Sequence, residues 1–194
     1  LKSKTPTNPL IQEAKKYKTA EDYVKAQSLY HGTSAKLEGN KLSFGKGGIK
    51  KGGQSGGLFL TDNPNIAKTF AFGGEIYQAT PSIKNQVIDL TKKDGVNKFK
   101  EFIGKSYKSF DGELIKFDKQ SFDLMFPNGK ADFATVSQFP ELVELVVKKN
   151  KLKGIAFNEY AGGQIGKTYQ ILSGDIPVYT KQQLIDIWNK ANKK

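Results

Sequence analysis

The chain has 194 residues, no cysteine, a single histidine and a formal net charge of +12 at pH 7. This composition excludes disulfides, thiol catalysis and metal sites built from cysteines or several histidines. All 31 basic residues are lysine, so the charge favours polyanions but lacks the bidentate base contacts that arginine makes.

The N-terminal region predicts a flexible lead followed by two short helices. The lead covers residues 1–8, which lack an initiator Met and the apolar run of a signal peptide. We therefore expect a processed product or an excised part of a longer protein, with a single monomeric domain over residues 9–194. Pro9 favours a helix start, and Thr19 with Asp22 resembles a capping box for a second helix.

Residues 28–90 predict short strands around one helix. SLYHGT reads as a strand that contains His31, the single histidine. Residues 45–57 contain seven glycines and three lysines, which excludes a regular element and predicts a loop. LFLTDN predicts a strand and a turn, and EIYQATPSI and QVIDLT predict strands. NPNIAKTFAF predicts a helix that is capped by Asn63 and begins at Pro64.

The C-terminal half predicts two more helices, a hairpin and a closing helix. Residues 94–110 favour a helix, and QFPELVELVVKKN predicts a helix with Leu142, Leu145 and Val146 inward. KGIAFNEY, AGGQIGK and TYQILSGDIPVYT predict a strand, a glycine turn and a returning strand. KQQLIDIWNKANKK predicts an amphipathic helix. The order predicts an α+β fold, with a mainly antiparallel β-sheet core and N-terminal and peripheral helices.

The glycine loop carries two weak motifs. Residues 53–57 match G-x-S-x-G around Ser55, but no buried strand precedes them, and His31 comes before the serine rather than after it. The loop also lacks the G-K-[ST] ending of a P-loop. Its lysines and backbone amides either approach an anion or form a mobile flap, and both interpretations stay open.

Two ordered motifs carry a resemblance to a known family. The first is Tyr30-His31-Gly32-Thr33, and the second is the stretch from Gly57 to Pro64 that leads into the helix with Ala67 and Phe70. Together with residues 76–90 and 152–180, this set resembles the diphtheria-toxin-like ADP-ribosyltransferases. Within that superfamily it is similar to the domains found in phage polyvalent and head-associated proteins. The resemblance implies an ADP-ribosyltransferase-like split sheet and NAD as a substrate, with no metal.

The resemblance also implies roles for single residues. His31 would hydrogen-bond a ribose hydroxyl of the adenosine half, supported by Thr33, and the backbone of Gly32 would bind the nicotinamide carboxamide. Phe59 and Phe70, 11 residues apart, would sandwich the nicotinamide, a favourable match for a flat cation. Each of these residues alone also fits a buried histidine or a core aromatic, and their joint order favours the NAD site.

The chain departs from the family pattern at three positions. Phe59 stands where the family usually has Tyr, and Ala67 stands where a small hydroxyl often helps to hold the carboxamide. Thr168 aligns with the catalytic Glu. We expect Glu159, on the partner strand of the hairpin, to supply the carboxylate, although a solvated hairpin residue is the plain alternative. Gln164 and Gln170 are weaker substitutes.

The function implied by the resemblance is mono-ADP-ribosylation of a macromolecule with release of nicotinamide. The expected setting is a phage particle or the bacterial host cytoplasm, and the expected acceptor is an acidic protein or a nucleic acid, with no membrane partner. Three alternatives stay open: an NAD glycohydrolase, an inactive binding or structural component of a phage particle, and a nucleic-acid-binding module. The arginine-dependent, cholera-toxin-like branch is excluded because the chain has no arginine.

Overall fold

The computed structural model describes residues 9–34, 37, 39–42 and 57–193. The flexible lead expected over residues 1–8 and residues 45–56 of the glycine loop lie outside the described residues. The helices are α1 (Pro9–Ala14), α2 (Ala20–Ala26), α3 (Pro64–Ala71), α4 (Lys93–Lys100), α5 (Lys119–Met125), α6 (Phe133–Val136), α7 (Pro140–Lys149) and α8 (Lys181–Asn192). Within the described ranges, none of them is long and apolar enough to cross a membrane.

Most strands contribute to one central sheet. The strands are β1 (Leu29–Thr33), β2 (Lys41–Leu42), β3 (Leu58–Thr61), β4 (Glu75–Ala79), β5 (Val87–Asp89), β6 (Lys105–Lys108), β7 (Leu114–Phe117), β8 (Gly154–Ala161), β9 (Gln164–Ile171) and β10 (Ile176–Pro177). Six of them form a sheet in the order β4-β1-β3-β9-β8-β5, in which only β5 and β8 run parallel. Two two-stranded sheets, β10-β2 and β6-β7, complete the set. The predicted α+β class with a mainly antiparallel sheet is confirmed.

Helices α2 and α3 begin at the side-chain caps that the sequence predicts. The Thr19 hydroxyl accepts a hydrogen bond from the Asp22 amide at 3.1 Å. The Asn63 side chain accepts one from the Asn65 amide at 3.0 Å. These bonds satisfy backbone amides that the first turn of a helix leaves without a partner. The predicted starts of α2 and α3 are therefore confirmed.

The two faces of the central sheet bury separate cores. On β8, Ile155 and Phe157 belong to a cluster with side chains of α4, α5 and α7. Ala156, between them, belongs to a second cluster with Ile171 of β9. This alternation follows from the two-residue period of a strand. A third, smaller cluster joins α1, α2 and α8 around Tyr23.

The helix predicted over residues 94–110 is wrong in its second half. α4 ends at Lys100, and β6 begins at Lys105 and pairs with β7. Between them, Gly104 has a φ of 85°, a left-handed conformation that a right-handed helix does not include. Tyr107 is the one buried side chain of β6, so this segment does not present the apolar stripe that a helix would bury.

Helix α7 buries a stripe that differs from the prediction by one residue. Leu142 and Val146 are fully buried as expected, but Leu145 is 39% exposed. Val143 and Val147 are buried in its place. Positions 142, 143, 146 and 147 share one side of a helix with 3.6 residues per turn, and position 145 lies outside that side.

Candidate functional site

The site forms where two parts of the central sheet are joined weakly. Strand β1 pairs with β4 along its whole length, from Leu29 to Thr33. Its pairing with β3 on the other side is limited to one position, Tyr30 opposite Thr61. The next residue, His31, donates a hydrogen bond from Nδ1 to the Phe59 carbonyl of β3 at 2.8 Å. A side chain thus bridges two strands whose backbones pair at a single position.

This hydrogen bond defines the proton arrangement of His31. A carbonyl oxygen only accepts, so Nδ1 carries the hydrogen, and Nε2 of the neutral ring keeps a free lone pair. Burial disfavours the imidazolium and lowers the pKa of His31 below its ordinary value of 6.5, while the bond to Phe59 acts in the opposite direction and offsets part of the effect. At pH 7 the ring is neutral, with Nε2 able to accept a hydrogen bond from a ligand hydroxyl.

Helix α3 closes one side of the site because it packs directly on β1. A Cβ atom at Gly32 would lie 1.7 Å from the Ala67 carbonyl oxygen of α3. No side chain fits there, so glycine is required for the helix to reach this position. The packing brings Ile66, Ala67 and Phe70 to the wall of a cavity.

The cavity has a volume of about 290 Å³, at the lower end of the range of small-molecule pockets, roughly 300–1,000 Å³. Eight of the nine predicted site residues line it: Tyr30, His31, Gly32, Phe59, Ala67, Phe70, Glu159 and Thr168. The ninth, Thr33, belongs to the same strand but is not among the residues that line the cavity. The two glutamines considered as weaker substitutes, Gln164 and Gln170, do not line it either.

Strands β8 and β9 contribute the acidic group of the cavity. Their register pairs Phe157 with Thr168 and Glu159 with Gly166, which makes Glu159 and Thr168 diagonal neighbours on one face. The Thr168 hydroxyl donates a hydrogen bond to Glu159 Oε2 at 2.5 Å. Thr168 is 1% exposed, so its position is set by the surrounding sheet. The hydroxyl therefore holds the carboxylate against the cavity.

Apart from this carboxylate, the cavity walls are mainly aromatic and aliphatic. A negative charge between apolar walls favours a bound cation, or a transition state in which positive charge develops. Aromatic faces add to this preference because their centres are electron-rich. The arrangement therefore fits a flat, positively charged ring.

One aromatic residue of the cavity was not predicted from the sequence. Phe133, at the start of α6, lines the cavity, and its ring centroid lies 5.7 Å from that of Phe59. The Asp132 side chain caps α6, and an Asp at this position is a sequence signal for a helix start. That signal predicts the helix but not its contact with β3.

Among residues 9–34, 37, 39–42 and 57–193, no group of three His, Cys, Asp or Glu side chains is arranged to hold a metal ion. The chemistry available in the cavity is that of a neutral imidazole, a carboxylate, hydroxyls and aromatic rings.

Family models, curated proteins and solved structures give no significant match to the chain. The resemblance to the ADP-ribosyltransferases therefore rests on the motif residues and their spacing. Independent geometric information comes from the cavity that eight of those residues share.

Proposed function

We propose that this protein is a mono-ADP-ribosyltransferase, which transfers ADP-ribose from NAD to a macromolecular acceptor and releases nicotinamide. The observation that carries the proposal is the shared cavity of the residues from both motifs and the hairpin. These residues come from four strands and one helix, namely β1, β3, α3, β8 and β9. The residues selected by the motifs face the same cavity, which is what a shared NAD site requires.

The chemistry of the cavity supports binding of the nicotinamide half of NAD. The nicotinamide ring is flat and cationic, which matches the aromatic faces of Phe59 and Phe70. His31 lines the same cavity, and its Nε2 is able to accept a hydrogen bond from a ribose hydroxyl of the adenosine half, the role that the resemblance implies. We place the nicotinamide and its ribose in the cavity of about 290 Å³, with the adenosine ribose beside His31 and the rest of the adenosine half outside.

Glu159 supports the transfer step in this proposal. As the bond between the ribose carbon C1′ and the nicotinamide nitrogen breaks, its electron pair leaves with nicotinamide, which becomes neutral. Positive charge then develops on the ribose, as in glycoside hydrolysis. The Glu159 carboxylate, held by the Thr168 hydroxyl, would stabilise that charge. The acceptor forms the new bond to C1′ and gives its proton to solvent or to the carboxylate.

The acceptor follows from the charge of the chain and from the setting that the resemblance implies. A net charge of +12 accelerates encounters with acidic proteins or nucleic acids. The resemblance to phage domains favours an acceptor in a bacterial host, which the protein would reach from a phage particle. One observation favours a second function: Thr168 occupies the aligned position of the catalytic Glu, which fits an inactive NAD-binding component.

Incubation with labelled NAD and a bacterial lysate tests the proposal. We expect label transfer by the wild type, with losses of about 100-fold or more in His31→Ala and in Glu159→Gln, since each variant removes a group that acts on the substrate. Glu144→Gln, an exposed glutamate on α7, is the matched control and should keep wild-type transfer.

Each other result has a distinct meaning. Nicotinamide release without a labelled acceptor identifies an NAD glycohydrolase. NAD binding without either product identifies the inactive component. Label transfer that is unchanged in His31→Ala refutes the site itself.

A further inference from the structure

We infer that Phe133 is a specificity-determining residue. It limits the width of the aromatic ring that binds in the cavity beside Glu159. The inference rests on the proposed function and adds a substrate restriction to it. It concerns the segment between α5 and α7, for which the sequence predicts no role.

The ring of Phe133 contacts the cavity and the core at the same time. It packs edge-to-face on Phe59, with an interplanar angle of 79°. It also lies 6.2 Å from Phe157, measured between ring centroids. Phe157 is fully buried, whereas Phe133 is 39% exposed. One part of the Phe133 ring is therefore covered by the core, and the remainder lines the cavity.

The position of Phe133 is held from both sides. Asp132 Oδ1 accepts a hydrogen bond from the Thr135 amide at 2.9 Å, and Thr135 Oγ1 accepts one from the Asp132 amide at 3.1 Å. The Asp132 backbone also forms a bridge to Asn158, the neighbour of Glu159 on β8. These contacts tie the start of α6, and with it Phe133, to the strand that carries Glu159.

The perpendicular rings have different effects on a flat ligand. A ligand that stacks parallel to Phe59 lies nearly perpendicular to Phe133, given the angle of 79° between them. In this inference the ligand rests on a face of Phe59 that Phe133 does not cover, and Phe133 forms a side wall at the ligand's edge. Such a wall restricts the substituents at the edge of the ligand ring. It does not restrict the thickness of the ligand. A single pyridinium carboxamide ring fits this description, and a fused bicyclic ring extends into the wall.

Two cationic probes test the inference directly: N-methylnicotinamide methylated on its ring nitrogen, with one ring, and 3-carbamoyl-1-methylquinolinium, with two. Their affinities are measured by NMR titration of wild type, Phe133→Ala, Phe133→Leu and Phe133→Trp. We expect the wild type to prefer the single ring by about tenfold, in the range that one steric difference provides. The preference should fall to about twofold in Phe133→Ala, take an intermediate value in Phe133→Leu, and rise in Phe133→Trp.

Two control variants separate the effect of Phe133 on probe preference from effects of removing any phenylalanine. Phe110→Ala removes a phenylalanine of similar exposure, 36%, that does not line the cavity, and the preference should stay at the wild-type value. Phe70→Ala removes another aromatic of the cavity and should weaken both probes by similar factors. Phe133→Leu and Phe133→Trp keep the test decisive if Phe133→Ala does not fold.

The outcomes distinguish this inference from the proposed function. If the wild type binds neither probe, the proposed NAD site is wrong and the inference is refuted with it. If the wild type binds N-methylnicotinamide and the preference is unchanged in the folded Phe133 variants, the inference alone is refuted. A graded change in preference with the size of residue 133 supports it.

Discussion

Replacing Gly32 by Ala tests the packing that creates the cavity. The new Cβ would lie 1.7 Å from the Ala67 carbonyl oxygen, 2.7 Å from its carbonyl carbon and 2.9 Å from the Ala71 amide nitrogen. Ordinary van der Waals contact between carbon and oxygen needs about 3.4 Å or more. Helix α3 must therefore move by about 1.5 Å or more, because all three obstacles are backbone atoms and none of them can rotate away.

The expected cost is at the upper end of that for overpacking, about 2–3 kcal/mol. For a chain of this length such a loss lowers the midpoint of thermal unfolding by about 4–12 °C. Circular dichroism measures the midpoint, and urea unfolding measures the free energy. Because Ala67 and Phe70 move with α3, affinity for N-methylnicotinamide should fall as well, even at temperatures where the variant is folded.

Gly166→Ala is the matched control for this prediction. There the new Cβ would lie 2.8 Å from Ile66 Cδ1 and 2.8 Å from Asn63 Cβ. The terminal methyl of Ile66 is able to rotate, but Asn63 Cβ is fixed to the backbone, so the start of α3 must shift by a few tenths of an ångström. This shift is much smaller than the one at Gly32, and we expect a smaller cost of about 1 kcal/mol. A Gly32→Ala variant that melts within about 2 °C of the wild type would show that α3 does not pack on β1 as described.

Two further predictions concern pH. NAD affinity, measured by calorimetry, should fall as the pH is lowered, with a midpoint below pH 6.5, because burial lowers the pKa of His31 and protonation removes the Nε2 acceptor. A midpoint above pH 6.5 contradicts the assignment. Burial raises the pKa of Asp89, but hydrogen bonds from Thr91 and Lys167 outweigh it and lower this pKa below 3.8. The resulting stabilisation is present above pH 3.8 and lost as the pH falls below it. Asp89→Asn should therefore cost about 1–2 kcal/mol at pH 7 in urea unfolding and less at about pH 2, and an equal cost at both pH values would refute this.

The elements that carry the motif residues could be predicted because their signals are local. His31 and Gly32 are adjacent in β1, and Phe59 and Phe70 fall on a strand and a helix whose cap, Asn63, is visible in the sequence. Caps and turn residues act over a few positions, so the sequence alone specifies them. The position of Glu159 in the hairpin could be predicted for the same reason, since the glycine turn after it sets the hairpin register.

Only the tertiary structure decided which distant residues meet these motifs. Phe133 contacts Phe59 across 74 positions of sequence, and no periodicity predicts that contact. The steric role of Gly32 also depends on where α3 packs, and the turn at Gly104 ended a helix that the apolar pattern favoured. Local patterns determine which element forms, whereas the packing of elements determines which of their side chains share a cavity.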